Sequence, residues 1–305
     1  MAGEPAVMTW LLDADPSIRW QVMRDLTGEP AETVAAERSR VAHEGWGARL
    51  LDLQTPDGHW SDEQEHGWMT TTDALMLLRE LGAEPADEKV ARATGLVQER
   101  IRWWQLEGQP FFDGETEACI NGRILAGGSY FGADVEPLLE RLLSEQLEDG
   151  GWNCEAPPSV RSSFHSTICV LEGLLEYEKT RGPSPTVTQA RGRGQEYLLE
   201  RRMFRSLTSG EIINERWTQF SFPVVWVYDI LRGLDYLRST GVPPDERVAE
   251  AVALVAGRRQ PDGRWPLDLL HADRTRIPFE LEDRIGKPSR WNTLRALRVL
   301  DWYES

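Results

Sequence analysis

Nowhere do 18 apolar residues run together in the 305-residue sequence, so no membrane-spanning helix is expected. Positive charge is scarce. Lys and Arg number 34 against 50 Asp and Glu, a net charge of -16 with a pI near 4.9. By bulk charge, nucleic acid and anionic membrane surfaces are poor partners. Cysteine is scarce as well. Three residues cannot close a disulfide set, which points to a reducing compartment. The polar, acidic start, Met1 to Pro5, lacks the apolar stretch of a secretory signal, so a cytoplasmic protein is expected. Alternating β-branched runs are nearly absent, which argues against a β fold. No G-x-x-x-x-G-K-[ST], G-x-G-x-x-G or serine nucleophile elbow occurs. Arg191-Gly-Arg-Gly194 is too short and charged for a phosphate loop and reads as a connector. No low-complexity linker divides the chain, so one domain over 1–305 is expected, and 40% hydrophobic content suffices for its core.

What is present is a repeat. Gln54-Thr-Pro-Asp-Gly-His-Trp60 returns as Gln146-Leu-Glu-Asp-Gly-Gly-Trp152 and, one residue shorter, as Gln260-Pro-Asp-Gly-Arg-Trp265. Asp-Gly makes a tight turn because Gly accepts φ > 0. The Gln closes a helix, and the Trp packs a large ring beneath the turn. Three copies, each followed by an apolar helical segment, mark a repeat architecture.

A second repeat lies beneath the first. Segments anchored at Gln21, Asp73, Arg123, Cys169, Asp229 and Asn292 share one polar-then-apolar form, spaced 46 to 63 residues apart. Such spacing suits two helices and their loops at about 1.5 Å per residue. More polar amphipathic stretches lie between, as at 135–148 and 246–259. Pro and Gly punctuate the joints, as in Arg181-Gly-Pro-Ser-Pro185 and Gly241-Val-Pro-Pro244. Apolar and amphipathic helices in alternation predict two concentric rings, an all-α (α/α)6 toroid of six helical hairpins. An open solenoid is the alternative. The anchors are expected to point inward.

The Q-x-x-D-G-x-W phrases resemble the QW motifs of squalene-hopene cyclases, and the chain resembles the terpenoid cyclase and protein prenyltransferase superfamily over most of its length. The resemblance implies the toroid and a ligand pocket at the N-terminal ends of the inner helices. It leaves the chemistry open, since function lives in the site.

Metal ligation is the first candidate chemistry. Cys119 and His165 each lie four residues before an anchor, at equivalent places on neighbouring helices. Zinc favours Cys, His and carboxylate ligands. Prenyltransferase β subunits carry Asp-x-Cys at one inner-helix start and His at the next. Glu117-x-Cys119 with His165 resembles that set, Glu replacing Asp. Cys154 is an alternative or additional ligand without counterpart in that pattern. The competing reading makes the cysteines small buried hydrophobes and His165 a helix-start residue bonded to backbone. Cys169 reads as a lumen residue.

Acid chemistry is the second. Cyclases protonate an alkene with D-x-D-D-T-A, but the matching stretch here is Met69-Thr-Thr-Thr-Asp73-Ala74. Without a paired carboxylate, Asp73 is not expected to protonate an alkene and reads as a hydrogen-bonding lumen residue.

The polar lumen is the third. Buried charges need partners, so Arg123 is expected to pair with Asp73 or Asp229. Trp20, Trp68, Trp226, Tyr228 and Trp291 lie beside the anchors and would form an aromatic wall able to stabilise a cation, or simply core. Glu280, Glu282 and Asp283 read as a solvated helix cap or a rim for a cationic group. Asp73, Arg123 and Tyr228 are the candidate catalytic residues; Glu117, Cys119, Cys154 and His165 are the candidate zinc ligands. Arg123 or Arg161 would meet an anionic leaving group.

The combined expectation is a zinc-dependent, prenyltransferase-like or terpenoid cyclase-like enzyme acting on an isoprenoid or other apolar small molecule. A non-catalytic toroid that binds a ligand or partner, and a terpene cyclase lacking the acid motif, are the alternatives. Prenyltransferases work with an α-helical partner subunit, on which the sequence is silent.

Overall fold

The structure, a computed structural model, describes residues 5–60, 67–271 and 279–305, with the side chains of Gly67 and Trp68 outside the description. It is all-α. The helices are α1 Pro5–Leu12, α2 Pro16–Val22, α3 Ala31–Ser39, α4 Gly45–Asp52, α5 Gly67–Leu81, α6 Glu88–Arg100, α7 Ala118–Phe131, α8 Glu136–Ser144, α9 Phe164–Arg181, α10 Pro185–Glu200, α11 Ile230–Ser239, α12 Ala249–Gly257 and α13 Arg290–Glu304. The amphipathic stretches at 135–148 and 246–259 become α8 and α12, the latter preceded by a tight turn at Glu246–Val248. One ladder occurs among the described residues, pairing β1 Arg102–Trp103 with β2 Gln109–Pro110. No described helix is long and apolar enough to cross a membrane.

The chain groups into two compact units, one of Met1–Trp46 with Leu198–Ser305 and one of Gly47–Tyr197. In the second, α7 and α9 touch backbone to backbone. A Cβ on Gly122 would stand 2.5 Å from the Cys169 carbonyl carbon and the Val170 nitrogen, and one on Gly173 would stand 2.5 Å from the Gly122 oxygen. Only glycine permits that approach. In the first, α2, α11 and α13 bury a set of arginines and aspartates, and Arg298 near the end of the chain donates to Gln21 near its start at 2.8 Å.

The D-G-x-W turns behave as their sequence predicts. Trp60, Trp152 and Trp265 are buried, and each indole N–H donates to the carbonyl ten residues upstream, Leu50, Leu142 and Val255, at 2.7–2.8 Å. Gly58, Gly150 and Gly263 hold φ between 82° and 96°. Gln54 and Gln146 each bridge two carbonyls, Gly58 and Ala93 in one case, Gly150 and Ala190 in the other.

The third phrase corrects the sequence alignment. Gln260 pairs with Arg264 across the turn as Thr55 pairs with His59 and Leu147 with Gly151. The phrase is therefore full length, and Arg259 occupies the Gln position. Its Nε donates to the Gly263 carbonyl at 3.3 Å, the bond Gln54 and Gln146 make. The longer donor reaches the same acceptor and lies over the Trp265 ring at 5.6 Å.

The anchor register shifts too. Gln21, Arg123 and Cys169 each lie six residues after a cap residue, Asp15, Glu117 and Ser163. Asp229 is itself the cap of α11, its carboxylate accepting from the Arg232 N–H, and Asn292 sits only three residues after the cap Ser289. The equivalents in the last two repeats are Asp235 and Arg295. Apolar spacing alone does not distinguish one turn of a helix from the next. All five polar anchors are nonetheless buried.

Candidate functional site

Glu117, Cys119 and Cys154 converge, their ligand atoms all within 4.8 Å of one another. Three local structures bring them there. Asn121, in the first turn of α7, accepts from the Glu115 N–H at 2.6 Å and donates to its carbonyl at 2.8 Å, clamping the loop that carries Glu117. Glu115 in turn accepts from the Glu117 N–H at 2.6 Å. Cys154 follows the second D-G-x-W turn, which Thr167 fixes to α9 by accepting from the Trp152 N–H at 3.0 Å.

The Cys154 sulfur then meets the start of α7. It accepts from the Cys119 N–H at 3.2 Å and lies 3.2 Å from the Ser166 hydroxyl, which also accepts from the Cys154 N–H at 3.2 Å. The Cys119 thiol stands 3.7 Å from a Glu117 oxygen. Cys154 is half-buried, Cys119 buried and Glu117 exposed. The bond from the Cys119 thiol holds the Cys154 thiol below its ordinary range against the opposing effect of burial, with Ser166 and the Cys119 N–H adding to it. The same bond, then burial, pushes Cys119 up. Of the two thiols, Cys154 is therefore the one that ionises first.

His165 is not in this group. Ser166 is the residue of α9 that meets Cys154. Cys169 is fully buried beside α7. Arg161 is exposed and helps the site through its backbone, whose carbonyl accepts from Asn153 at 2.7 Å.

Arg123 and Asp73 pair as expected, at 2.5 Å, with side chains 7% and 6% exposed. Arg123 Nε has no hydrogen-bond partner. Tyr228 packs in the interior. It is fully buried, its hydroxyl donates to the Met203 carbonyl at 2.6 Å, and its ring meets Trp217 edge-on, so it is a core residue.

Members of the expected aromatic wall have neighbours of their own. Arg24 and Arg38 lie over the Trp20 ring at 4.6 and 5.2 Å, Trp291 stacks on Phe222 at 4.2 Å, and the Trp68 side chain lies outside the described residues. Glu282 is not a solvated cap. It accepts from the Ser289 hydroxyl at 2.7 Å and from the Trp291 N–H at 2.9 Å, and burial pushes its carboxyl up against those two bonds. Glu280 and Asp283 flank it on the surface side.

Sequence reasoning missed Ser166, Asp235, Arg295 and Arg298. For the arginines a signal existed: Trp291, Arg295 and Arg298 share one helical stripe.

No family model matches the sequence, and no curated protein matches it. Among solved structures the chain is similar to the type II terpene cyclase MstE from Scytonema in its apo form, with 15% identity and a TM-score of 0.45, covering 98% of this chain and 88% of that one. It is also similar to a variant of MstE in complex with geranylgeranyl dihydroxybenzoate, the substrate, with 14% identity and a TM-score of 0.42, covering 98% of this chain and 85% of that one.

Proposed function

We propose that the chain is a zinc-dependent enzyme on an (α/α)6 toroid, of the prenyltransferase-like or terpenoid cyclase-like kind, acting on an isoprenoid or similarly apolar substrate. The observation that carries this reading is the convergence of Glu117, Cys119 and Cys154 at the start of α7. Two thiols and a carboxylate suit zinc, and three protein ligands leave a fourth position open, the arrangement of catalytic rather than structural sites. Zn–S bonds of about 2.3 Å place tetrahedral sulfurs roughly 3.8 Å apart, so atoms already within 4.8 Å need little movement. Bound there, zinc would act as a Lewis acid and favour the anionic form of a thiol or water nucleophile.

The chain's own residues supply the rest. Ser166 and the Cys119 N–H orient the Cys154 sulfur, and Asn121 fixes the Glu117 loop. Arg123 lies one turn beyond Cys119 on α7. Its free Nε–H would hold an anionic leaving group while Asp73 fixes its fork.

Metal content tests the site. Purified protein is expected to hold about one zinc per chain. Cys119→Ser and Cys154→Ser should each lose most of it, while His165→Ala and Cys169→Ser keep it. A folded, metal-free wild type after zinc loading refutes the reading. Pyrophosphate release from an isoprenoid diphosphate in the presence of a thiol acceptor tests the chemistry. Zinc-loaded protein that binds the diphosphate without turnover is the binding protein instead.

A further inference from the structure

The inward stripe of α13 carries Trp291, Arg295 and Arg298, 2%, 7% and 6% exposed. These side chains present N–H donors with no hydrogen-bonded acceptor. Trp291 Nε1 and Arg298 Nε have no partner. Arg295 makes one hydrogen bond, from Nη1 to the Ser221 carbonyl at 3.2 Å. Its Nη2 and Nε stand 4.0 Å from Asp229 and Asp235, beyond hydrogen-bond reach.

The carboxylates around the stripe lean the same way. The aspartates facing Arg295 and Arg298 are Asp25, Asp229 and Asp235. Arg298 pairs with Asp25 and donates to Gln21, and Asp235 binds Arg238 at 2.8 Å. Asp229 uses an oxygen to cap α11 at 2.7 Å, and burial pushes its carboxyl up, which lowers its power to neutralise. Arg295 is thus the buried guanidinium of the stripe whose carboxylates both stand off at 4.0 Å. A buried charge without a close partner is costly.

We propose that this face of α13 binds an oxyanion, a carboxylate or phosphate, carried on an apolar body. The guanidinium fork of Arg295 suits two oxygens, and the indole N–H of Trp291 supplies a further donor. The ring pair Trp291–Phe222, with Trp46 stacked 6.2 Å from Trp291, gives the apolar body a surface beside it. The site uses none of Glu117, Cys119 and Cys154 and stands whether or not zinc binds there.

Calorimetric titration at fixed ionic strength tests it, with decanoate, decyl phosphate and neutral decanol as probes. One of the anions should bind at least tenfold tighter than decanol, and the preferred headgroup identifies the oxyanion. Arg295→Gln should weaken that anion at least tenfold. Trp291→Phe, which keeps a stacking ring and removes the N–H, should weaken it about threefold or more. Cys119→Ser should leave it unchanged. Equal binding of anion and alcohol, or an anion affinity that survives both α13 substitutions, overturns the proposal. If Arg295→Gln does not fold, Trp291→Phe decides.

Discussion

Asp73 and Arg123 form a buried pair in which each charge depends on the other. Removing one partner leaves an uncompensated charge, at a cost of about 3–5 kcal/mol. Asp73→Asn should therefore lower the urea midpoint sharply, while Asp73→Leu combined with Arg123→Met should recover most of the loss. A double-mutant cycle checks it; additive effects would show the pair to be uncoupled. Arg259 offers a gentler test. Arg259→Gln restores the residue found in the other two turns and should leave stability within about 0.5 kcal/mol. Arg259→Ala removes a bond worth roughly 1 kcal/mol.

At the same scale lies most of what was legible in advance. Asp-Gly and Trp announce their turns because each has a strong conformational or packing demand. Glu117 and Cys119 were legible from their place at the beginning of a helix. Cys154 was visible only as a nearby thiol, since the turn that aims it at α7 is a tertiary fact. Ser166 was invisible, because a serine in a first turn is ordinary. Asp229 was misread because a cap and an inward anchor look alike until the helix start is known.

Among the elements, the α7–α9 crossing governs the candidate metal group. Gly122 lies one turn after Cys119, and its missing side chain sets how near α9 comes. Gly122→Ala should cost about 1–3 kcal/mol by overpacking and weaken zinc affinity, by parting Cys119 from the Cys154 that α9 helps to hold. Zinc competition with a chelator measures it; unchanged affinity would show that the loops alone fix the group.

Helix α13 sets a pH response. Burial raises the Glu282 carboxyl above its ordinary 4.5. A raised folded pKa contributes stability that is fully present below the unfolded value and lost as pH rises through the folded one. Glu282→Gln keeps the acceptor for Ser289 and Trp291 and cannot ionise. It should match wild type at pH 4 and exceed it at pH 8. Asp235 has the opposite sign. Burial opposes its ionisation, but Arg238, Arg298 and Arg295 together hold it below 3.8, so its contribution is present above that value and fades as pH falls through the folded one. Asp235→Asn should flatten the acid limb of the stability curve.

Over the whole molecule, the all-α class was legible from periodicity, and the grouping into units was not. No linker marks it, because one unit draws on both ends of the chain. Arg298 ties α13 to Gln21 and Asp25, and Arg290 donates to the Asp13 carbonyl at 2.8 Å. Truncation before Ser289 should therefore yield insoluble protein, since it strips buried partners from α2. A soluble, cooperatively melting product would contradict this.

The same tie orders events at the ribosome. The first 46 residues emerge with Val7, Leu11, Ile18 and Val22, all fully buried in the finished protein, and must wait for α11 and α13. At about 5–20 residues per second, the stretch Gly47–Tyr197 alone takes roughly 8–30 s to make. During that time the nascent amino-terminal helices are apolar surface without a home, and a chaperone that holds such segments is the cellular factor on which yield should depend most.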